Sequence, residues 1–202
     1  MGIIEYIKKI RKKIIIEKED KVAFNLFNNC GKILDVGTGN CEFISLDPKR
    51  IEGIDIKPEY GRERGFNIKK GSCLKLPYKD KSFDGVHCSH VIEHLTPKEL
   101  SICLSEFDRI LKIGGILTIR SPLFNQKFYL TPDHIRPYPP NSLELILCNN
   151  TGLPFYFNLQ KYKTIKIRYR LDFGDFRFWE TGYIGLPILF SGYLISFEKI
   201  KQ

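Results

Sequence analysis

Apolar and polar residues alternate with two different periods along this 202-residue chain. Near the start, Ile3, Ile4, Ile7, Ile10 and Ile14 recur at spacings of three and four. That spacing gathers them on one face of a helix and leaves Lys8, Lys9, Arg11, Lys12 and Lys13 off it, so residues 1–29 read as an amphipathic helical extension. Short apolar runs follow at 33–36 (I-L-D-V), 51–56 (I-E-G-I-D-I), 66–69 and from 83 (F-D-G-V), each bounded by turn residues and read as a short buried strand. Leu100, Cys103, Leu104, Phe107, Ile110 and Leu111 mark a helix over 97–111 with Pro97 in its first turn, ended by Gly114 and Gly115 before a fifth strand at 116–119. A further helix is expected over 141–149. Over 164–173 the period changes to two, with Ile165, Ile167, Tyr169 and Leu171 on one side and Lys166, Arg168 and Arg170 on the other, which predicts a half-buried strand with a basic outer face. The aromatic, apolar tail is expected to end in a last strand at 193–199.

Strands alternating with helices predict an α/β fold, and the ends of its strands are where ligands bind in open sheets. Gly37 and Gly39 follow the first strand directly, as they would where the backbone turns sharply beneath a ligand. Asp55 ends the second strand, sixteen positions past Gly39, where a carboxylate can accept both hydroxyl protons of a ribose. The third glycine of a dinucleotide fingerprint is replaced by Glu42, which would repel a pyrophosphate. Together with Asp35, these carboxylates suit a cationic nucleoside without phosphates, and S-adenosylmethionine (SAM), carrying an ammonium and a sulfonium, meets that description.

Composition narrows the picture little further. A hydrophobic fraction of 43% against 27% charged residues predicts an ordered single domain over 1–202. Six scattered cysteines without C-x-x-C spacing point to a cytoplasmic protein with no disulfide and no metal. The net charge of +9 would suit nucleic acid, an anionic membrane surface with peripheral contact through the basic helix, or simple solubility. The apolar run over 185–197 is too short and too broken by Pro187 and Gly192 for a transmembrane segment.

Four blocks in order, I-L-D-V-G-T-G-N-C, the acidic end of I-E-G-I-D-I, K-G-S-C-L-K-L-P-Y-K-D-K-S-F-D-G-V-H-C-S-H-V-I-E-H-L and L-K-I-G-G-I-L-T-I, resemble the class I SAM-dependent methyltransferases of type 11. The resemblance covers about half the chain. It implies a Rossmann-like, doubly wound, mostly parallel seven-stranded sheet with an antiparallel last strand, and cofactor contacts from Asp35, Gly37, Thr38, Gly39, Asp55, Ile56, Ser72, Cys73, Leu74 and Ser89. Two positions depart from the family pattern: Ser72 stands where most members carry an acidic residue toward the adenine, and Cys41 stands at the third position of the G-x-G-x-G variant. His90, at the carboxyl end of the fourth strand, is a candidate general base. Glu93 and His94 recur in the family whatever the substrate and read as packing and hydrogen-bonding residues, and Asp84 reads as structural.

The substrate loop is expected over 121–140, where a D-H-x-R-P-[YF] segment recurs in the family. Tyr129, His134, Arg136 and Tyr138 are its candidate acceptor residues, His134 as a second candidate for taking the acceptor's proton and Arg136 for gripping a carboxylate or phosphate. A local salt bridge that only holds the loop's shape is the alternative. The activity implied is methyl transfer to an O or N atom of a small-molecule or glycan acceptor. An RNA or protein acceptor is the alternative, against which the fourth strand lacks the N-P-P-Y pattern of amino-group base methylation. SAM binding without turnover is the third reading.

Overall fold

The computed structural model describes residues 19–124, 128–148, 159, 161–173, 176–180 and 190–201. The first apolar stripe, over 3–14, lies outside them. The chain enters at helix α1 (Glu19–Phe24) and alternates β1 (Ile33–Val36), β2 (Ile51–Asp55), α2 (Glu59–Glu63), β3 (Ile68–Lys70), β4 (Phe83–Ser89), α3 (Pro97–Ile110) and β5 (Leu111–Pro122). Helix α4 (Pro140–Leu147) then leads to β6 (Tyr162–Phe173), β7 (Phe176–Glu180) and β8 (Phe190–Lys199). The strands form one sheet in the order β3-β2-β1-β4-β5-β8-β6-β7. From β3 to β5 the pairs are parallel, whereas β8 runs antiparallel to both β5 and β6. Chain order reverses at β1, flanked by β2 and β4, and this switch point opens a crevice at the carboxyl ends of those strands.

The strands at the centre are short and apolar because both their faces are covered. All four residues of β1 are buried. Helix α3 starts at a capping box, in which the Thr96 side chain accepts from the Glu99 backbone N–H and the Glu99 side chain accepts from the Thr96 backbone N–H. It buries Leu100, Cys103, Leu104 and Phe107 on one stripe, as its spacing predicts. At the far end of the same helix, Asp108 is buried and draws together Lys161 Nζ (3.0 Å), the Tyr162 hydroxyl (3.1 Å) and Lys199 Nζ (2.9 Å), tying α3 to β6 and β8. Lys199 is 3% exposed, so its ammonium depends on those partners, the Asp108 and Leu111 carbonyls included.

The structure adds an eighth strand to the expected seven. β7 pairs with β6 so that Phe173 faces Phe176, leaving a two-residue connection whose sequence, G-D, is itself a hairpin signal. Strict alternation along β6 also fails at one point: Thr164 pairs with Phe197 and Lys166 with Ser196, so Ile165 is bulged out and 45% exposed. Strand β5 begins at Leu111 rather than at 116, passing through Gly114 at φ +78°. The last helix starts at Pro140 instead of at an Asn141 or Ser142 cap.

Candidate functional site

Two adjoining cavities occupy the crevice beyond β1, β2 and β4, of about 300 Å³ and about 410 Å³, and Gly37, Gly39 and His90 line both. Gly37 has φ +74° and an added Cβ would lie 2.4 Å from Val91 Cγ2; Gly39 has φ +45°. The glycine turn therefore does what its sequence predicts, bringing backbone to the cavity wall. Its next member departs from the rule: Cys41 adopts φ +64° with a side chain present. Its thiol is fully buried, and at Gly61 of α2 a Cβ would come within 2.7 Å of Cys41 Sγ, so glycine on the helix makes room for the cysteine in the turn.

The first cavity is polar. Asp20, Asp35, Glu42, His87, Ser89 and Arg120 line it together with Gly37, Thr38 and Gly39. Asp35 is 2% exposed, and its Oδ2 is buried without a hydrogen-bond partner. Burial, reinforced by the nearby Asp20 charge, holds its carboxyl well above the usual range despite Arg120. His87 is fully buried, stacks on Phe43 (3.9 Å between centroids) and shares a 2.7 Å hydrogen bond between Nδ1 and Thr118 Oγ1. Burial keeps that ring neutral, with Arg120 and His90 adding to the effect, and its Nε2 also has no partner. Arg120 donates from Nε to Ser89 Oγ (2.7 Å), and its Nη1 lies 3.1 Å from Glu19 and 3.3 Å from Asp20 without hydrogen-bond geometry to either. Asp20 is itself pushed up to about 6 by burial, against Arg120 and with help from Glu42 and Glu19.

The second cavity is mostly apolar, walled by Val36, Ile54, Ile56, Cys73, Leu74, Val91 and Leu95, with Asp55 and Ser72 as polar groups. Asp55 Oδ2 accepts from Gly39 N and Thr38 Oγ1, each at 3.3 Å, and Oδ1 from Lys57 N at 2.8 Å. Ser72 Oγ accepts from Leu74 N at 3.2 Å. His90 stands between the cavities at φ +55°, a strained position for a residue with a Cβ, and its Nδ1 lies 3.0 Å from Oε1 of the fully buried Glu93.

Every residue expected to contact the cofactor (Asp35, Gly37, Thr38, Gly39, Asp55, Ile56, Ser72, Cys73, Leu74 and Ser89) lines one cavity or the other. The four loop residues line neither. Tyr138 is buried, its hydroxyl donating to the Leu95 carbonyl at 2.8 Å, which makes it an anchor of the loop. Arg136 is exposed with its guanidinium 5.8 Å from the Tyr138 ring, and Tyr129 is 60% exposed. His134 Nδ1 lies 2.9 Å from the Phe128 carbonyl, and its ring is 5.1 Å from that of His94. Asp20, His87 and Arg120 went unread in the sequence. Arg120 had a signal, since it stands near the carboxyl end of β5, and so did His87, a polar residue inside the apolar run of β4.

Residues 34–119 match the family model of the methyltransferase domain. That stretch of the chain is similar to a methyltransferase domain. Among similar curated proteins, the demethylmenaquinone methyltransferase of Chlorobaculum parvum is 30% identical over 125 residues, 57% of this chain and 46% of that protein. A probable methyltransferase of Aspergillus luteorubrus is 38% identical over 135 residues, covering 55% and 47%. The chain thus spans about half the length of these relatives. The crystal structure of a SAM-dependent methyltransferase from Archaeoglobus fulgidus superposes with a TM-score of 0.67 at 23% identity, over 89% of this chain and 90% of that one, so the shared Rossmann-like fold extends beyond residues 34–119.

The cofactor implied by this domain is S-adenosyl-L-methionine, and the cavities fit it. The unpartnered Asp35 Oδ2 and the guanidinium of Arg120 offer opposite charges to the two ends of an amino-acid group, while the apolar second cavity, with Asp55 at its edge, suits a nucleoside.

Proposed function

We infer that the protein transfers a methyl group from SAM to an oxygen or nitrogen atom of a small-molecule or glycan acceptor. One observation carries the reading: three buried polar atoms without hydrogen-bond partners, Asp35 Oδ2, His87 Nε2 and Arg120 Nη1, belong to side chains lining the same cavity beside the glycine turn. Buried polar atoms without hydrogen bonds are costly; a zwitterionic ligand end relieves that cost at Asp35 and gives Arg120, already ion-paired with Glu19 and Asp20, a hydrogen-bond acceptor.

Bound SAM supplies a methyl group on a sulfonium, already activated toward displacement. Asp35 and Asp20 hold the ammonium, Arg120 the carboxylate, Asp55 the ribose hydroxyls and Ser72 the adenine amino group. Val36, Ile54, Leu74 and Leu95 exclude water. His90 is the favoured base: with Nδ1–H donated to the Glu93 carboxylate, Nε2 is the nitrogen that takes the acceptor's proton. On the 121–140 loop, Phe124 (65% exposed) and Tyr129 meet edge to face at 5.9 Å, a surface on which a sugar or planar ring can stack. The basic outer face of β6 gives less support to a nucleic-acid acceptor, because Arg170 is engaged by Glu19 (3.0 Å) and Ser191 (2.7 Å) and Lys163 by Glu198 (2.9 Å).

The test is calorimetry with SAM and with NAD, followed by incubation of the protein with methyl-labelled SAM, a small-molecule and glycan extract, and separate RNA and protein fractions. SAM binding with label in the small-molecule fraction is expected, and His90→Gln should lower that label about 100-fold or more at little-changed SAM affinity. Binding of NAD alone, or label only in material destroyed by ribonuclease or protease, overturns the reading.

A further inference from the structure

Among the described residues, Glu93, His94 and His134 each offer a metal-competent atom, and those atoms lie within 4.8 Å of one another. Two of these residues adjoin in the sequence and the third stands forty positions on, so spacing gave no warning of the set. The backbone holds them together: Ile135 N and Arg136 N donate to the Glu93 carbonyl at 2.8 and 3.2 Å, and the Tyr138 hydroxyl donates to the Leu95 carbonyl. Segment 133–138 is therefore docked on residues 93–95.

The tautomers follow from chemistry. His94 Nδ1 lies 3.0 Å from the Asp133 carbonyl and His134 Nδ1 lies 2.9 Å from the Phe128 carbonyl. A carbonyl only accepts, so each Nδ1 carries the proton and each neutral ring presents the lone pair of Nε2. This is how metal-binding histidines are oriented, with the second nitrogen's N–H on a backbone carbonyl or carboxylate. Glu93 is fully buried; its Oε1 meets His90 and its Oε2 accepts from Ser121 Oγ at 3.0 Å. A carboxylate has about four lone-pair sites, so those two bonds leave it able to bind a cation.

We propose that Glu93, His94 and His134 form a binding site for a divalent transition-metal ion of the zinc class, at the join of the 93–95 turn and the 133–138 loop. Two imidazoles and one carboxylate are a donor set suited to Zn²⁺, Fe²⁺ or Co²⁺, and three protein ligands leave at least one coordination position open. His94 also lines the second cavity, so the open position is available to an acceptor hydroxyl or carboxylate oxygen; this last step rests on the methyl-transfer reading above. His134 is then a ligand and not a base.

The experiment uses the full chain, stripped with a chelator and titrated with Zn²⁺ in a competition assay, and with Co²⁺ followed by its visible absorption. One equivalent binding at micromolar or tighter affinity is expected, with a tetrahedral or five-coordinate Co²⁺ spectrum. His94→Asn and His134→Asn keep an N–H that can donate to the loop carbonyl but lose Nε2, and each should weaken binding about 100-fold. SAM calorimetry on His134→Asn, whose side chain lines neither cavity, should match the wild type and so establishes that the variant is folded. Absence of a stoichiometric metal, or equal affinity in both variants and wild type, overturns the proposal. Failure of the wild type to bind SAM overturns the methyl-transfer reading instead and leaves the metal result standing.

Discussion

Replacing Asp35 by Asn separates binding from folding, because the two should respond in opposite directions. In the ligand-free protein this carboxyl is buried and held well above its usual range, chiefly by desolvation. The folded state therefore favours the protonated form more than the unfolded chain does, and ionisation works against folding from the unfolded value upward, in full once the pH exceeds the folded value. An amide of the same size removes that charge, so the ligand-free variant should melt no lower than the wild type at neutral pH. SAM binding should suffer. The carboxylate's charge-assisted hydrogen bond to the ammonium contributes about 1.5 to 3 kcal/mol, or roughly a 10- to 150-fold weaker Kd on its loss. At a SAM concentration 100 times the wild-type Kd, ligand stabilisation should fall from about 2.7 kcal/mol to about 0.3–1.4 kcal/mol. Thermal melts with and without SAM, paired with calorimetry, measure both effects. Unchanged SAM affinity, or a ligand-free variant destabilised by several kcal/mol, would refute the assignment of Asp35 to the ammonium.

Two further outcomes are expected. Asp20, raised from 3.8 to about 6 chiefly by burial and facing Arg120 of β5, Glu42, Asp35 and its own neighbour Glu19, holds a proton in the folded state that the unfolded chain has lost between those values. Its contribution to stability is present below about pH 3.8 and is lost as the pH rises through about 6. Cation binding prefers the ionised form, so SAM affinity should rise from about pH 5 to about pH 7.5 with proton release, and calorimetry in buffers of different ionisation enthalpy should find this slope reduced in Asp20→Asn. Gly37→Ala combines left-handed strain with the 2.4 Å approach to Val91 and should cost about 2–5 kcal/mol in urea unfolding. Adding Val91→Ala should restore the steric part only; full restoration would show that the backbone conformation carries no cost.

How much of this was legible follows from which interactions are local. The strand and glycine turn at 33–39, the acidic end of β2 and the stripe on α3 depend on residues close in sequence, and all appear where the periodicity puts them. The bulge at Ile165 and the pairing of β7 arise from register between strands, which periodicity in a single strand does not encode. Likewise, Tyr138 looked like a ligand contact because its motif is polar and proline-rich, yet its hydroxyl is satisfied by the Leu95 carbonyl, forty-three positions earlier.

The polar wall of the first cavity was nevertheless written in the strands, as interruptions. Four strands each carry one polar residue inside a short apolar run: Asp35 in I-L-D-V, His87 in V-H-C, Thr118 in I-L-T-I and Ser196 in L-I-S-F. The register aligns those four, with Asp35 beside His87, His87 beside Thr118 and Thr118 beside Ser196. Register partners share a face of the sheet, so isolated polar residues become one buried row, all at most 2% exposed. Gly53, the next position in the row, admits the Thr38 side chain, whose methyl would lie 2.6 Å from a Cβ there. A row of this kind works against folding unless its atoms are satisfied, and only its inner members are: Thr118 by His87 and Ser196 by the Lys166 carbonyl. The two atoms left over, Asp35 Oδ2 and His87 Nε2, belong to the residues that line the cavity, where a ligand completes the row.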